Sequence, residues 1–228
     1  MIKPNTQDRQ CVYIDLYVDD TGAPTSPGLL GTPIAFVSHW WGYRIRDLVA
    51  MIRAHDDARV AAGAARGAYF FDMFVLNQHQ LTKNCTTDLE KREQLIQGLR
   101  RSLLACGTLL LCCTAGPEGV GWEQPAPLGR VWCLFEVFVA VTEGVAVVVR
   151  LESKDMVDFQ HALNMDGMAR VSRALAALDA RDASASVSSD KDMVLDDIQT
   201  TVGFDEFNRQ VREGMLAEYK RISVSAMR

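Results

Sequence analysis

The chain predicts an α/β fold: a parallel sheet with helices on both faces, preceded by a strand and followed by a helical extension. Three observations carry this. Short continuous apolar runs at 34–38, 69–76, 108–113 and 145–151 read as strands buried on both faces, because a strand with one wet face would alternate. Helically spaced apolar residues stand between them, so strands and helices take turns along the chain. Beyond about residue 154 only helical patterning is left.

Each element has its own signal. Val12, Ile14, Leu16 and Val18 share one side of a two-residue period, which predicts a strand over 11–18. Residues 19–33, rich in Gly, Pro, Ser and Thr, form a loop. Residues 1–33 are therefore an N-terminal strand-and-loop extension. The α/β domain spans 34–153. Its first strand ends at Ser38, and Ile45, Leu48, Val49 and Ile52 begin a helix. Gly63 to Gly67 breaks that pattern, and Tyr69 to Leu76 is the second strand, interrupted by Asp72. Thr87-Asp88-Leu89-Glu90 has capping-box form and opens a helix that turns Leu89, Ile96, Leu99 and Leu103 inward. The third strand is 108–113. A Gly/Pro loop over 115–129 leads to a helix at Trp132–Val141, and 145–151 is the fourth strand. In the extension, 154–228, Val171, Leu175 and Leu178 mark one helix. Phe204, Phe207, Val211 and Met215 mark another, and 182–190 reads as a linker or the start of a new cap.

Composition narrows the function. With 228 residues, 48% apolar and 23% charged, the chain is globular. A net charge of −5 without a basic block argues against nucleic-acid binding. There is no apolar signal core near Met1, and no apolar stretch reaches the roughly 20 residues that span a bilayer. A cytoplasmic protein with no membrane partner is expected. Three of the six cysteines, Cys112, Cys113 and Cys133, sit in apolar runs and read as reduced core thiols. Cys112 and Cys113 point to opposite faces of one strand. With no C-x-x-C pair, no metal is expected.

The chemistry centres on Glu136, one carboxylate in the otherwise uncharged run from Val131 to Val141. Desolvating an ionised carboxylate costs several kcal/mol or raises its pKa, so Glu136 must be paired, neutral or facing a cleft. The bland alternative is an ion pair with Arg130 or Arg44. On a helix, Trp132 lies one turn before Glu136 on the same face. Ligands of parallel sheets bind beyond the carboxyl ends of the strands. That rule collects Ser38-His39-Trp40-Trp41 after the first strand, Asp72 and Asn77-Gln78-His79-Gln80 after the second, and the approach to the Trp132 helix. Indoles, imidazoles, amides and a carboxylate suit a nucleotide. Trp40 and Trp41 cannot both be buried in a tight turn. Asp72 is either a pocket residue or a cap for nearby backbone N–H groups. His39 and His79 are acid/base candidates or hydrogen-bonded loop residues.

Over roughly residues 32–152 the chain resembles the Toll/interleukin-1 receptor (TIR) domain family. Phe36-Val37-Ser38-His39 is similar to that family's first-strand box, and Phe70-Phe71-Asp72 to its second strand. Trp132-Cys133-Leu134-Phe135-Glu136 resembles its Trp-Cys-Leu-x-Glu helix motif. The resemblance implies a flavodoxin-like fold, a signalling or defence role and, in the enzymatic branch, hydrolysis of the nicotinamide–ribose bond of NAD as substrate, with no cofactor and no metal. It makes Glu136 the catalytic residue. It makes Ser38, His39, Trp40, Trp41, Asp72, Asn77 and Trp132 the substrate-binding residues, and it implies self-association. No Arg-Asp-x-x-Pro-Gly box follows the second strand; Asn77 to Asn84 stands there. Two other functions fit the same residues. One is a non-catalytic interaction module that docks a partner through Trp41 and the helical tail. The other is a nucleoside deoxyribosyltransferase-like enzyme, which also sets a carboxylate against a ribosyl centre.

Overall fold

The computed structural model describes residues 2–26, 28, 30–77, 87–115 and 121–226. Four strands form one parallel sheet: β1 (Pro33–Ser38), β2 (Ala68–Phe70), β3 (Thr108–Cys113) and β4 (Ala146–Leu151), in the order β2-β1-β3-β4. Phe36 pairs with Phe70 on one side and Leu109 on the other, and Cys113 pairs with Leu151. The described helices are α1 (Ile2–Thr6), α2 (Ile45–Ala61), α3 (Asp72–Val75), α4 (Asp88–Cys106), α5 (Val131–Thr142), α6 (Ser153–Asp166), α7 (Met168–Ala176), α8 (Ser188–Thr201) and α9 (Phe204–Ala226).

The period of two sorts the strands into two cores. Ala35, Val37, Leu110 and Cys112 face Leu48 and Met51 of α2 and Phe71. Phe36, Leu109, Leu111, Cys113, Val149 and Leu151 face the other way, onto α4, α5 and the C-terminal helices. Cys112 and Cys113 accordingly fall in different cores, as adjacent strand residues must. The second core runs without a break from Leu103 of α4 through Leu134 of α5 to Ile198 of α8 and Met215 of α9. Residues after 153 thus bury the face that the sheet and α5 offer.

Several boundaries differ from the sequence reading. Residues 11–18 do not make a strand: Tyr13–Tyr17 is a 3-10 turn. The Asp15 carboxylate accepts the Val12 N–H at 3.1 Å, and the Tyr13 and Tyr17 hydroxyls meet at 3.0 Å. Local side-chain bonds of this kind compete with ladder pairing. The strand expected over 69–76 stops at Phe70. Asp72 turns the chain into the single helical turn of α3, its Oδ1 accepting the Met73 N–H at 2.7 Å. Helix α6 falls in the stretch read as helical without a marked helix of its own, and α8 begins at Ser188, inside the segment read as a linker or the start of a new cap. The capping box is present: Glu90 N–H donates to Thr87 Oγ1 at 3.1 Å, and Thr87 N–H to Glu90 at 3.3 Å.

Helix α9 reaches α5 through Gly214, where an added Cβ would lie 2.4 Å from Val141 Cγ2. A Gly→Ala change inside a helix normally stabilises by up to about 1 kcal/mol. Here the stiff β-branched Val141 cannot yield, so the sign reverses. Gly214→Ala should destabilise by about 1–3 kcal/mol in urea unfolding, and adding Val141→Ala should recover much of the loss. A stabilised Gly214→Ala protein would contradict this packing.

Candidate functional site

A cavity of about 350 Å³ opens beside the carboxyl ends of β1 and β2. Its floor is Phe36 and Phe70, whose rings stack at 5.1 Å. Leu95, Leu99 and Ser102 of α4 form one wall, Trp132, Cys133 and Glu136 of α5 another. His39, Trp41 and Asp72 come from the strand ends, and Ser186, Val187 and Asp190 from the start of α8. Volume and an apolar lining with a few polar groups suit a small-molecule site. The crevice between β1 and β3, where the chain order reverses, is closed. Tyr43 Oη donates to the Thr114 carbonyl and accepts the Thr114 N–H, both at 2.8 Å.

Glu136 sits at the centre of this arrangement. Its residue is 7% exposed, yet it lines the cavity, and its Oε2 has no hydrogen-bond partner. Neither cation named as a possible partner reaches it. Arg44 lies 4.0 Å from Asp47, and Arg130 donates to Ser184 Oγ at 2.9 Å and Ser186 Oγ at 2.6 Å. Burial pushes the Glu136 carboxyl up to about 8. The nearby Ser38 hydroxyl works against that rise, and the Asp72 charge adds to it. Ser38 Oγ is itself buried without a bond in good geometry, so its help is weak.

His39 and Asp72 form a second ionisable pair. Burial holds the His39 imidazole below its ordinary value, against the pull of Asp72 and the Val37 carbonyl. Burial likewise raises Asp72, opposed by His39, the Met73 N–H and the Trp41 indole. Desolvation outweighs the mutual attraction, which favours the neutral pair. His39 Nε2 is buried without a partner, leaving a polar atom for a ligand. The backbone is fixed by Cys133, whose Sγ lies 3.4 Å from the His39 carbonyl.

Of the residues singled out from sequence, His39, Trp41, Asp72, Trp132 and Glu136 line the cavity together. Ser38 lies behind Glu136, outside the lining. Trp40 does not reach it: the indole packs edge-on against Tyr43 at 5.5 Å, over Gly42, where a Cβ would sit 2.3 Å from the ring. Asn77 is turned away, donating to the Gln10 carbonyl at 2.8 Å. His79, Gln78 and Gln80 lie outside the described residues. Sequence reasoning missed the α4 and α8 contributions, including Arg101 and Ser186. Arg130 was considered only as a partner for Glu136. Its position two residues before Trp132 was the one available hint.

Among the described residues no cluster of three His, Cys, Asp or Glu could hold a metal ion, and no helix is long and apolar enough to cross a membrane. Comparison with family models, with curated proteins and with solved structures finds no match to this chain.

The raised Glu136 value makes a stability prediction. Between the ordinary value of 4.5 and about 8 the folded chain holds a proton that the unfolded chain has lost. Folding is therefore weakened as pH rises through that window, by up to about 1.4 kcal/mol per unit, and is unaffected by this group outside it. Glu136→Gln should remove the slope, so its stability relative to wild type climbs between pH 5 and pH 8 in denaturant titrations. Parallel pH profiles for the two proteins would contradict the burial argument.

Proposed function

We propose that the protein is a TIR-like hydrolase with a flavodoxin-like sheet that cleaves the nicotinamide–ribose bond of NAD. The observation that carries this reading is the Glu136 carboxyl, buried yet lining a cavity, with no hydrogen-bond partner for Oε2 and with Trp132 one turn away. The strand order β2-β1-β3-β4 agrees with the flavodoxin-like order 2-1-3-4-5 over its first four positions. Motif, strand order and cavity support one another, and none of them depends on a relative.

The residues suit a dissociative reaction. Nicotinamide is bound to ribose as a cation. When the C1′–N bond breaks, its electron pair returns to the pyridinium nitrogen and neutral nicotinamide leaves. Positive charge then spreads over C1′ and the ring oxygen. An ionised Glu136 against that charge stabilises it, and preorganised charges of this kind commonly supply several kcal/mol. Water adds to C1′ and gives up a proton. His39, neutral near pH 7, offers Nε2 to that water or to a ribose hydroxyl. Trp132 forms an aromatic wall.

Ionisation of Glu136 is the gate. In the free protein the carboxyl is largely protonated at pH 7, and the incoming cationic ring favours its charged form. kcat/KM for nicotinamide release should rise with pH through about 8 and level off. The kcat profile should rise at lower pH. Trp41, 54% exposed at the cavity, supports self-association through this side. Specific activity should therefore grow with protein concentration. Chromatography of nicotinamide after incubation with NAD tests the whole reading. Glu136→Gln should lose at least about 100-fold in kcat while remaining folded. Full turnover in Glu136→Gln, or none in wild type at high concentration, would sink it in favour of an interaction module.

A further inference from the structure

Two arginines that the chemistry at Glu136 does not use line the cavity. Arg101, from α4, lines it with no hydrogen bond or ion pair to any described residue. Arg130, at the N-cap of α5, lines it as well and donates only to the serine hydroxyls of Ser184 and Ser186. Several other arginines meet carboxylates: Arg66 meets Asp56 and Asp57 at 2.9 Å, Arg92 meets Asp197 at 2.8 Å and Arg170 meets Glu123 at 2.8 Å.

A guanidinium stays charged at any physiological pH. Among the described residues, no acid of the same walls is bonded to either arginine. Glu136 and Asp72 are both raised by burial, and His39 is held neutral. Asp190, the remaining carboxyl of the lining, offsets one guanidinium at most, and it has an interaction of its own. Among the described residues, two guanidinium groups with no carboxylate bonded to them leave positive charge to spare at the cavity. A nicotinamide riboside, itself a cation, gains nothing from that surplus. A ligand with phosphates does, because guanidinium forks match phosphate oxygens.

We infer that Arg101 and Arg130 select a diphosphate-bearing nucleotide over the corresponding nucleoside, making phosphate recognition the specificity determinant of this cavity. The inference rests on the hydrolase reading for the bond that reacts, but not for the anion that binds.

The test uses calorimetry with ADP-ribose and adenosine on the wild type, Arg101→Gln, Arg130→Gln and Arg130→Lys. Arg101 is bonded to no described residue, so Arg101→Gln should leave unfolding unchanged, and Arg130→Lys keeps the charge where Arg130→Gln removes it. ADP-ribose should bind wild type more tightly than adenosine and weaken at least about tenfold in each Gln variant, with Arg130→Lys in between. Adenosine binding should not change. Equal losses for both ligands, or no loss for ADP-ribose, would overturn the assignment, as would a wild type that prefers adenosine. Should ADP-ribose follow the expected pattern while NAD is left intact, the hydrolase reading falls and the phosphate assignment stands. If NAD is cleaved with a kcat/KM indifferent to both arginines, the reverse holds.

Discussion

The cost of keeping one carboxyl inside α5 organises the rest of this molecule. Every other described residue of that helix from Val131 to Val141 is uncharged, and most are buried. A carboxylate among them without a cation must give up its charge, and burial lifts Glu136 accordingly. A well-packed core would have replaced it with an apolar residue at little cost. Its retention beside a cavity, rather than beneath a guanidinium, leaves an acid that a bound cation can switch on.

The architecture explains why the cavity lies where it does. Tyr43 closes the β1–β3 crevice by bonding both backbone groups of Thr114, so the open space is displaced toward β1 and β2. Strand β2 is short because Asp72 turns the chain, and the same turn brings that carboxyl to the cavity. The segment before α8 supplies the last wall. Ser184 N–H donates to the Gly129 carbonyl at 2.9 Å and its carbonyl accepts the Val131 N–H at 3.0 Å, in a parallel bridge at Arg130. The C-terminal helices are therefore part of the cavity, and their core is continuous with that of α5.

Much of this was legible in the residues. The three strands with long apolar runs, the Thr87 cap and the α5 face carrying Trp132 and Glu136 follow from periodicity and capping alone. The 11–18 segment misled because its two-residue period is genuine, but Asp15 bonds the backbone locally and the tyrosine hydroxyls bond each other. Trp40 and Trp41 are equivalent in sequence; only Gly42, which lets one indole fold onto Tyr43, separates packing from exposure. The contribution of α8 was hidden because Ala, Ser and Asp between 182 and 190 have no apolar signature, and their role comes from hydrogen bonds to the start of α5. Arg101 could not be singled out, since an exposed arginine beside a cavity and one on open surface look alike in sequence.

The most direct measurement is the titration of the Glu136 side chain itself, followed by its carboxyl carbon resonance in labelled protein, with Glu136→Gln to assign the signal. A midpoint near 8 that moves down when NAD is added is the result expected of an uncompensated acid facing a cation site. A midpoint in the ordinary glutamate range, unmoved by the nucleotide, would mean that the carboxyl is already satisfied, and the functional account built on it would fall.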